Sequence, residues 1–429
     1  MRALAMMTTL AALLWLSPAI ASGPAKVRIE SGESGYRLLV DGKPFYVKGA
    51  GMEGGPMDAL VSAGANSFRT WDTRDGLRIL DEAHSKGLYV TLGVEVSRER
   101  HGFDYNNPQD VAKQLARIRG EVLQHKDHPA LLMWAVGNEL NLGASNPNVW
   151  NAVNQIVRMI HELDPNHPVM TTLAGFDKSL IDNLKFRAPD LDLIGIQLYS
   201  DIVVLPQKLQ DANWTGPYIV TEWGPTGHWE IASTDWGAAI EDDSSVKAGN
   251  LLDRYQRIIA RDTRQCLGSY VFLWGNKQER TPTWYGLFLS TGEATAGVDY
   301  MQFAWTGTWP GNRSPLVSPI FLDGRRSVES LHLQPGHSTR ASVLMLDVDA
   351  DALVPSWVLR EETTATSVGG DHEEVPREVP IDRMTGAAGE MQFHAPAKPG
   401  AYRLFVTVRD GHGHAAHANF PFKVDAAAD

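Results

Sequence analysis

The sequence predicts a (β/α)8 barrel followed by a small all-β sandwich. Three observations carry that prediction. Between Phe45 and Trp274, eight β-type apolar runs alternate with stretches whose apolar residues recur at helical spacing. Two of these runs, Trp134-Ala-Val-Gly-Asn-Glu139 and Tyr218-Ile-Val-Thr-Glu222, end in a carboxylate. Beyond about Pro319 the alternation gives way to short period-two runs separated by turn residues.

The eight runs are Phe45–Gly49, Asn66–Trp71, Tyr89–Val94, Leu131–Glu139, Val169–Ala174, Leu193–Tyr199, Tyr218–Gly224 and Gly268–Trp274. Continuous apolar runs suit strands of a parallel sheet buried on both faces. Gly76–Lys86, Asp110–His125 and Val149–Leu163 have the spacing of amphipathic helices, and Lys86-Gly87 and Asp164-Pro165-Asn-His-Pro168 read as helix exits. Ahead of the barrel, Val27–Ile29 and Tyr36–Val40 flank Ser31-Gly-Glu-Ser-Gly35, a hairpin pattern expected to close the barrel floor. Arg2, the apolar stretch Leu4–Leu16 and the small-x-small end Ala19-Ile-Ala21 read as a secretory leader. The expected organisation is a leader over 1–21, a hairpin over 22–44, the barrel over 45–309, a Gly/Pro-rich linker over 310–318 and a β-sandwich over 319–425.

The formal charge of -12 and the absence of any basic run speak against a nucleic-acid partner, which needs clustered Lys and Arg for phosphate contacts. After the leader, no stretch is long and apolar enough to span a bilayer. The single cysteine, Cys266, precedes an apolar run and is expected to be a buried, apolar-like residue.

Catalysis in such barrels gathers where the strands end. Glutamates ending the fourth and seventh strands lie roughly opposite each other across the mouth. They are the pair that retaining glycoside hydrolysis needs: Glu139 as acid/base and Glu222 as nucleophile. The competing reading of each is a carboxylate capping a strand–helix turn. Asn138, beside Glu139, has an amide suited to a sugar 2-hydroxyl. Arg69 ends the second strand, where a cation favours an ionised Glu222. Tyr199 ends the sixth and offers that carboxylate a hydroxyl. Trp274 ends the eighth and is expected to stack on the sugar, with Trp71 as a second aromatic.

At this level the barrel resembles a clan A retaining glycoside hydrolase. Lys126-Asp-His-Pro-Ala-Leu-Leu-Met-Trp-Ala-Val-Gly-Asn-Glu139 is similar to the acid/base signature of the β-galactosidase-like family 2, and the Asn-Glu end is shared by the cellulase-like family 5. The resemblance spans roughly Gly42 to Trp309. It implies the same two glutamates, with Asn138, Arg69, Tyr199 and Trp274 in support; separately, no cofactor or metal is expected. Glu222 is followed by Trp223 where the first of those families has Tyr, and that family's leading jelly-roll domain is not expected here.

Other candidates are weaker. Asp72, Glu95, His101, Asn141, His228, Trp229 and Trp236 lie in loops after strands. Lys277, Gln278, Glu279, Trp284 and Tyr285 follow the eighth strand. Trp284 or Tyr285 is the expected neighbouring sugar platform; the alternative is that these aromatics only pin loops to the barrel. In the C-terminal segment, which resembles a polycystic-kidney-disease-type or immunoglobulin-like module, Asp347-Val-Asp349-Ala-Asp351 lacks the glycine and closing glutamate of a calcium loop. His412-Gly-His414-Ala-Ala-His417 reads as a hairpin turn. The module is expected to pack on or tether the barrel without supplying catalytic residues.

Together these readings point to an exported, periplasmic or secreted, retaining β-glycoside hydrolase. Its expected partner is a β-linked oligo- or polysaccharide, with β-glucan favoured. A transglycosylase using the same glutamates and a non-catalytic carbohydrate-binding barrel are the alternatives.

Overall fold

The computed structural model describes residues 23–385 and 388–426, so the expected leader over 1–21 lies outside the described residues. At its centre is a closed barrel of eight parallel strands in sequential order: Val47–Glu53, Ser67–Arg69, Tyr89–Val94, Leu131–Asn138, Val169–Ala174, Leu193–Gln197, Tyr218–Trp223 and Cys266–Gly275. The sequence places all eight; their ends differ. The first strand runs on to Glu53, where Met52 and Glu53 still pair with Trp274 and Gly275 of the eighth, and Gly49 and Gly51 let neighbours crowd it. A Cβ at Gly49 would lie 2.5 Å from the Ser67 carbonyl oxygen, and one at Gly51 would lie 2.9 Å from the Trp71 ring. The second strand ends at Arg69, two residues short of Trp71.

Helices cover the barrel outside. Asn107 caps Pro108–His125, accepting from the Gln109 and Asp110 amides, with proline at the first helical position. Asp177 and Asp243 cap the helices Lys178–Arg187 and Ser244–Arg254 in the same way. Asn148–Leu163 buries eight residues of one stripe against the fourth and fifth strands, each large aliphatic among them contributing roughly 1.5–3 kcal/mol of burial. Trp134 points outward from strand four, and its indole N–H donates to Asp164 at the exit of that helix (2.8 Å). Strands Val27–Gly32, Gly35–Val40 and Lys43–Phe45 form a small antiparallel sheet. Its Val27, Leu38 and Val40 share a core with the barrel residues Leu132, Met170, Leu193 and Ile219 and stopper the floor, leaving the opposite end open.

Past the barrel, a four-stranded and a five-stranded sheet face each other across one core of Leu322, Phe393, Trp357, Leu404 and Phe420. The His412–His414 turn joins the long strands Gly400–Arg409 and Ala415–Val424, with Asp410 accepting from the His412 and His414 amides. Among the described residues, no group of three or more His, Cys, Asp or Glu is placed to hold a metal. None of the described helices is long and apolar enough to cross a membrane. Cys266 is buried, and that burial pushes its thiol up to about 12.

The module is fastened to the barrel by buried polar contacts. Lys247 pairs with Glu241, which also accepts from Thr281 and from Asn419 of the module. Burial alone would raise Glu241; Lys247 overrides it and holds the carboxyl down at about 2. Arg403 reaches across to the Ala239 carbonyl (2.8 Å) while pairing with Glu362 at 3.0 Å.

Candidate active site

Strand four delivers its carboxylate through a distorted end. Its register against strand five shifts between Ala135 and Asn138, Gly137 has φ 73° and Glu139 has φ 52°. A left-handed backbone is uncommon for a residue with a Cβ and tends to mark functional positions. The Glu139 amide is tied to the Thr172 carbonyl at 3.1 Å, which fixes the kink. Strand seven is irregular against both neighbours near Glu222. Both glutamates line a single cavity of 700 Å³ at the open end of the barrel.

Four donors converge on Glu222. Its Oε1 accepts from Arg69 Nη1 at 3.1 Å, Trp71 Nε1 at 2.9 Å and Gln197 Nε2 at 3.1 Å. Among the described residues, its Oε2 accepts only the Tyr199 hydroxyl, at 3.2 Å. Oε2 is therefore the oxygen with lone-pair capacity to spare. Arg69 is fully buried and stretches between strands, donating also to the Thr221 carbonyl and, through Nη2, to Asn138 Oδ1 at 2.9 Å. Asn138 Oδ1 accepts from Thr172 at 3.0 Å and Gln197 at 2.8 Å as well. Three donors on one oxygen set the amide's orientation and leave its Nδ2 hydrogens for a ligand.

Glu139 is in the opposite electrostatic situation. Burial foremost, then the nearby charge of Glu222, push its carboxyl up to about 8, against the pull of Arg100, Arg98 and Arg69. Two carboxyls in one cavity are thus differentiated: one carries the proton at neutral pH, and one is surrounded by donors. A measurable consequence concerns stability. In the unfolded chain Glu139 ionises near the ordinary value of about 4.3, whereas in the fold it stays protonated up to about 8. The native state therefore binds the extra proton between those values, and its stability falls as pH rises through that window. Glu139→Gln removes the penalty. Its unfolding free energy relative to the parent should grow from pH 4 to pH 8 by a few kcal/mol and then level off. Denaturant titrations at pH 4, 6 and 8.5 check this; a constant difference would show that Glu139 ionises normally.

Of the residues singled out in the sequence, Arg69, Trp71, Asn138, Glu139, Tyr199 and Glu222 come together. Trp274 does not. It is fully buried beneath the helix Ala296–Thr306, 5.2 Å from the Phe288 ring and 6.3 Å from the Trp305 ring, and its indole donates to the Pro56 carbonyl. The eighth strand slips register against the first between Val271 and Trp274. Strand alternation breaks there, and Phe272 takes the cavity face instead, 5.8 Å from the Trp71 ring. Trp284 and Tyr285 do not join the cavity surface either. Both are 1% exposed; Trp284 donates to the Thr226 carbonyl, and Tyr285 stands 5.4 Å behind Tyr199 and 5.6 Å from Phe272. They back the wall and do not form its surface. The exposed aromatic at the rim is Trp229, 58% exposed and edge-on to Tyr199 at 5.3 Å.

Among the weaker loop candidates, Asp72, Glu95, Lys277, Gln278 and Glu279 line the cavity. Asn141 instead ties to the Ala174 amide and carbonyl, His228 pairs with Glu279, and Trp236 packs edge-on against His332 of the module. Sequence reading missed Gln197, although it lies two residues before Tyr199 at a strand end, on the same face by alternation. It also missed the segment from the C-terminal module. Gly369, Gly370, His372, Glu373, Glu374 and Val375 line the cavity, so the module does more than pack on or tether the barrel. Only their placement in three dimensions shows this, since they lie far along the chain in an irregular connection.

Residues 64–263 match the family described as Glycosyl hydrolases family 2, TIM barrel domain. A β-glucuronidase of Streptococcus agalactiae serotype V is 24% identical over 200 residues, covering 40% of this chain and 31% of that protein. A β-galactosidase of Vibrio cholerae serotype O1 is 26% identical over 186 residues, covering 37% of this chain and 17% of that one. The chain thus spans a third or less of these relatives' lengths. Among solved structures, a Bifidobacterium dentium β-glucuronidase superposes with a TM-score of 0.53 at 20% identity, covering 66% of this chain and 49% of that chain. A likeness at that identity speaks for the barrel fold.

Proposed function

We propose that this chain is a retaining β-glycoside hydrolase working by double displacement. The observation that carries the reading is the pair of unlike carboxyls on strands four and seven in one cavity: Glu139 protonated up to about 8, Glu222 ringed by four donors. The family match across the strands that bear them supports it.

In the first step Glu222 Oε2 attacks the anomeric carbon while Glu139 gives its proton to the departing glycosidic oxygen. The C–O bond to the aglycone breaks and a glycosyl ester forms on Glu222. In the second step Glu139, now ionised, takes a proton from water. The water oxygen attacks the same carbon and the ester bond breaks, regenerating both groups. Asn138 Nδ2 donates to the 2-hydroxyl, a contact that strengthens as the ring becomes oxocarbenium-like. Phe272 and Trp71 offer apolar faces to the sugar. A β-glucan is the favoured substrate, with β-galactosides and β-glucuronides tested beside it because those are the substrates in the relatives' names. The leader pattern at the N-terminus supports export to the periplasm or beyond.

The test is to incubate the chain with 4-nitrophenyl β-glucoside, β-galactoside and β-glucuronide and with mixed-linkage β-glucan, and to follow the first product by proton NMR. A β-anomer appearing before mutarotation supports the proposal; a first-formed α-anomer contradicts it.

A further inference from the structure

The cavity has a wall that the barrel does not supply. Residues 362–377 connect two strands of the C-terminal module, Val354–Glu361 and Glu378–Val379, and run out over the barrel mouth. Their attachments are specific. On the loop after strand eight, Arg280 donates to the Ala365 and Ser367 carbonyls (2.6 and 2.9 Å). It also holds the buried Glu373 carboxylate through its amide at 2.6 Å and Nη1 at 2.8 Å. Lys277 on the same loop donates to the Gly370 carbonyl at 2.7 Å. On the loop after strand three, Arg100 donates to the Gly369 carbonyl at 3.4 Å and pairs with Asp371 at 3.0 Å, which His101 also meets at 3.3 Å.

The crossing point is a Gly-Gly pair in left-handed backbone, φ 61° and 71°. A Cβ at Gly369 would come within 2.6 Å of Leu142 on the loop after strand four, and one at Gly370 within 2.5 Å of Lys277 Nζ. Glycine is what lets the backbone lie this close to three barrel loops at once. The segment is therefore a strap, bound at both ends by charge-assisted hydrogen bonds, linking the eighth-strand rim to the third- and fourth-strand rims. Gln278, on the loop after strand eight, also lines the cavity, and both polar atoms of its amide are buried with no hydrogen-bond partner among the described residues.

The geometry points to the strap as the element that sets substrate length: it closes one exit of the cleft, so the site admits the end of a β-linked chain and excludes an internal stretch. The inference rests on the glycosidase reading and adds a role for the C-terminal module within the site. A chain cut in its interior must enter and leave the mouth, and one of those paths crosses the line from Arg280 to Arg100. A cavity of 700 Å³ is of the size that takes a small ligand.

Two variants of the full chain test it. In one, residues 366–374 are replaced by a short Gly/Ser turn. In the other, Asp371→Ala and Glu373→Ala untie the strap while keeping its length. Both are compared with the parent on 4-nitrophenyl β-glucoside, β-galactoside and β-glucuronide and on mixed-linkage β-glucan and galactan, reading solution viscosity against new reducing ends. The parent should raise reducing ends with little loss of viscosity. The variants should lose viscosity about tenfold faster per bond cleaved, or show a KM for polymer lower by a similar factor, with aryl glycosides affected far less. A parent that thins the polymer as fast as it cleaves it overturns the inference, as do folded variants with the parent's ratio and KM. If neither the parent nor either variant releases sugar from any of these substrates, the glycosidase reading falls and takes the inference with it.

Discussion

Glu222→Ala should lose hydrolysis by many orders of magnitude with its fold intact. Azide should restore turnover by giving the α-glycosyl azide. The reason is geometric. Glu222 is the one carboxylate on which Arg69, Trp71, Gln197 and Tyr199 converge, and its Oε2 is the oxygen left for attack. Removing it opens space on the face it would have occupied, so a small anion enters from that face and inverts the centre. Glu139→Ala should behave differently. For leaving groups that need protonation, the loss should be about 10²–10⁴-fold, the range for a positioned general acid. For a dinitrophenyl glycoside the first step should survive and the second slow, and azide should then yield the β-glycosyl azide. Because Glu139 holds its proton up to about 8, the parent's rate should fall above that pH, and the variant should lack this limb. Product configuration by NMR separates the two roles. Azides of the same configuration from both variants would undo the assignment.

Phe272→Ala and Trp274→Ala should part company, although the residues are two apart on one strand. Phe272 faces the cavity beside Trp71 and Tyr199. Truncating it removes an apolar face from the sugar and loosens the ring that positions Tyr199, so kcat/KM should drop about a hundredfold or more. Trp274 touches no part of the cavity. It fills the layer between the barrel and the helix Ala296–Thr306, so Trp274→Ala should cost about 3–5 kcal/mol of stability with near-normal kcat/KM in the folded fraction. Thermal denaturation and steady-state kinetics on the same preparations decide this. A Trp274→Ala protein that is stable and inactive would restore the tryptophan to the sugar site.

This pair also shows how far the sequence could be read. The strands were legible because a parallel barrel demands apolar runs on both faces, and residues within two positions of the ends of the second, fourth, sixth and seventh strands project into the mouth by the fold's construction. Arg69, Asn138, Tyr199 and Glu222 follow from that rule alone. The eighth strand breaks it: a register slip between Val271 and Trp274 shifts the side-chain alternation, and nothing in the local residue types announces a slip. Gln197 was within reach of alternation but has no chemistry of its own to single it out; its value lies in bridging Asn138 and Glu222. The strap was beyond reach. Gly369-Gly370 looks like any flexible turn until Arg100, Lys277 and Leu142 are seen around it, and contacts separated by 93 residues or more leave no periodic trace.

The central claim is that Glu222 becomes covalently glycosylated during turnover. The most direct measurement is to incubate the chain with the 2-deoxy-2-fluoro-β-glycosyl fluoride of whichever sugar it hydrolyses. That reagent allows the ester to form and slows its hydrolysis. Proteolysis and tandem mass spectrometry then locate the label. The account predicts one fluorosugar per chain, on Glu222, with activity lost in step with labelling. A label on another residue, or hydrolysis of the fluoride without any accumulating ester, would contradict it.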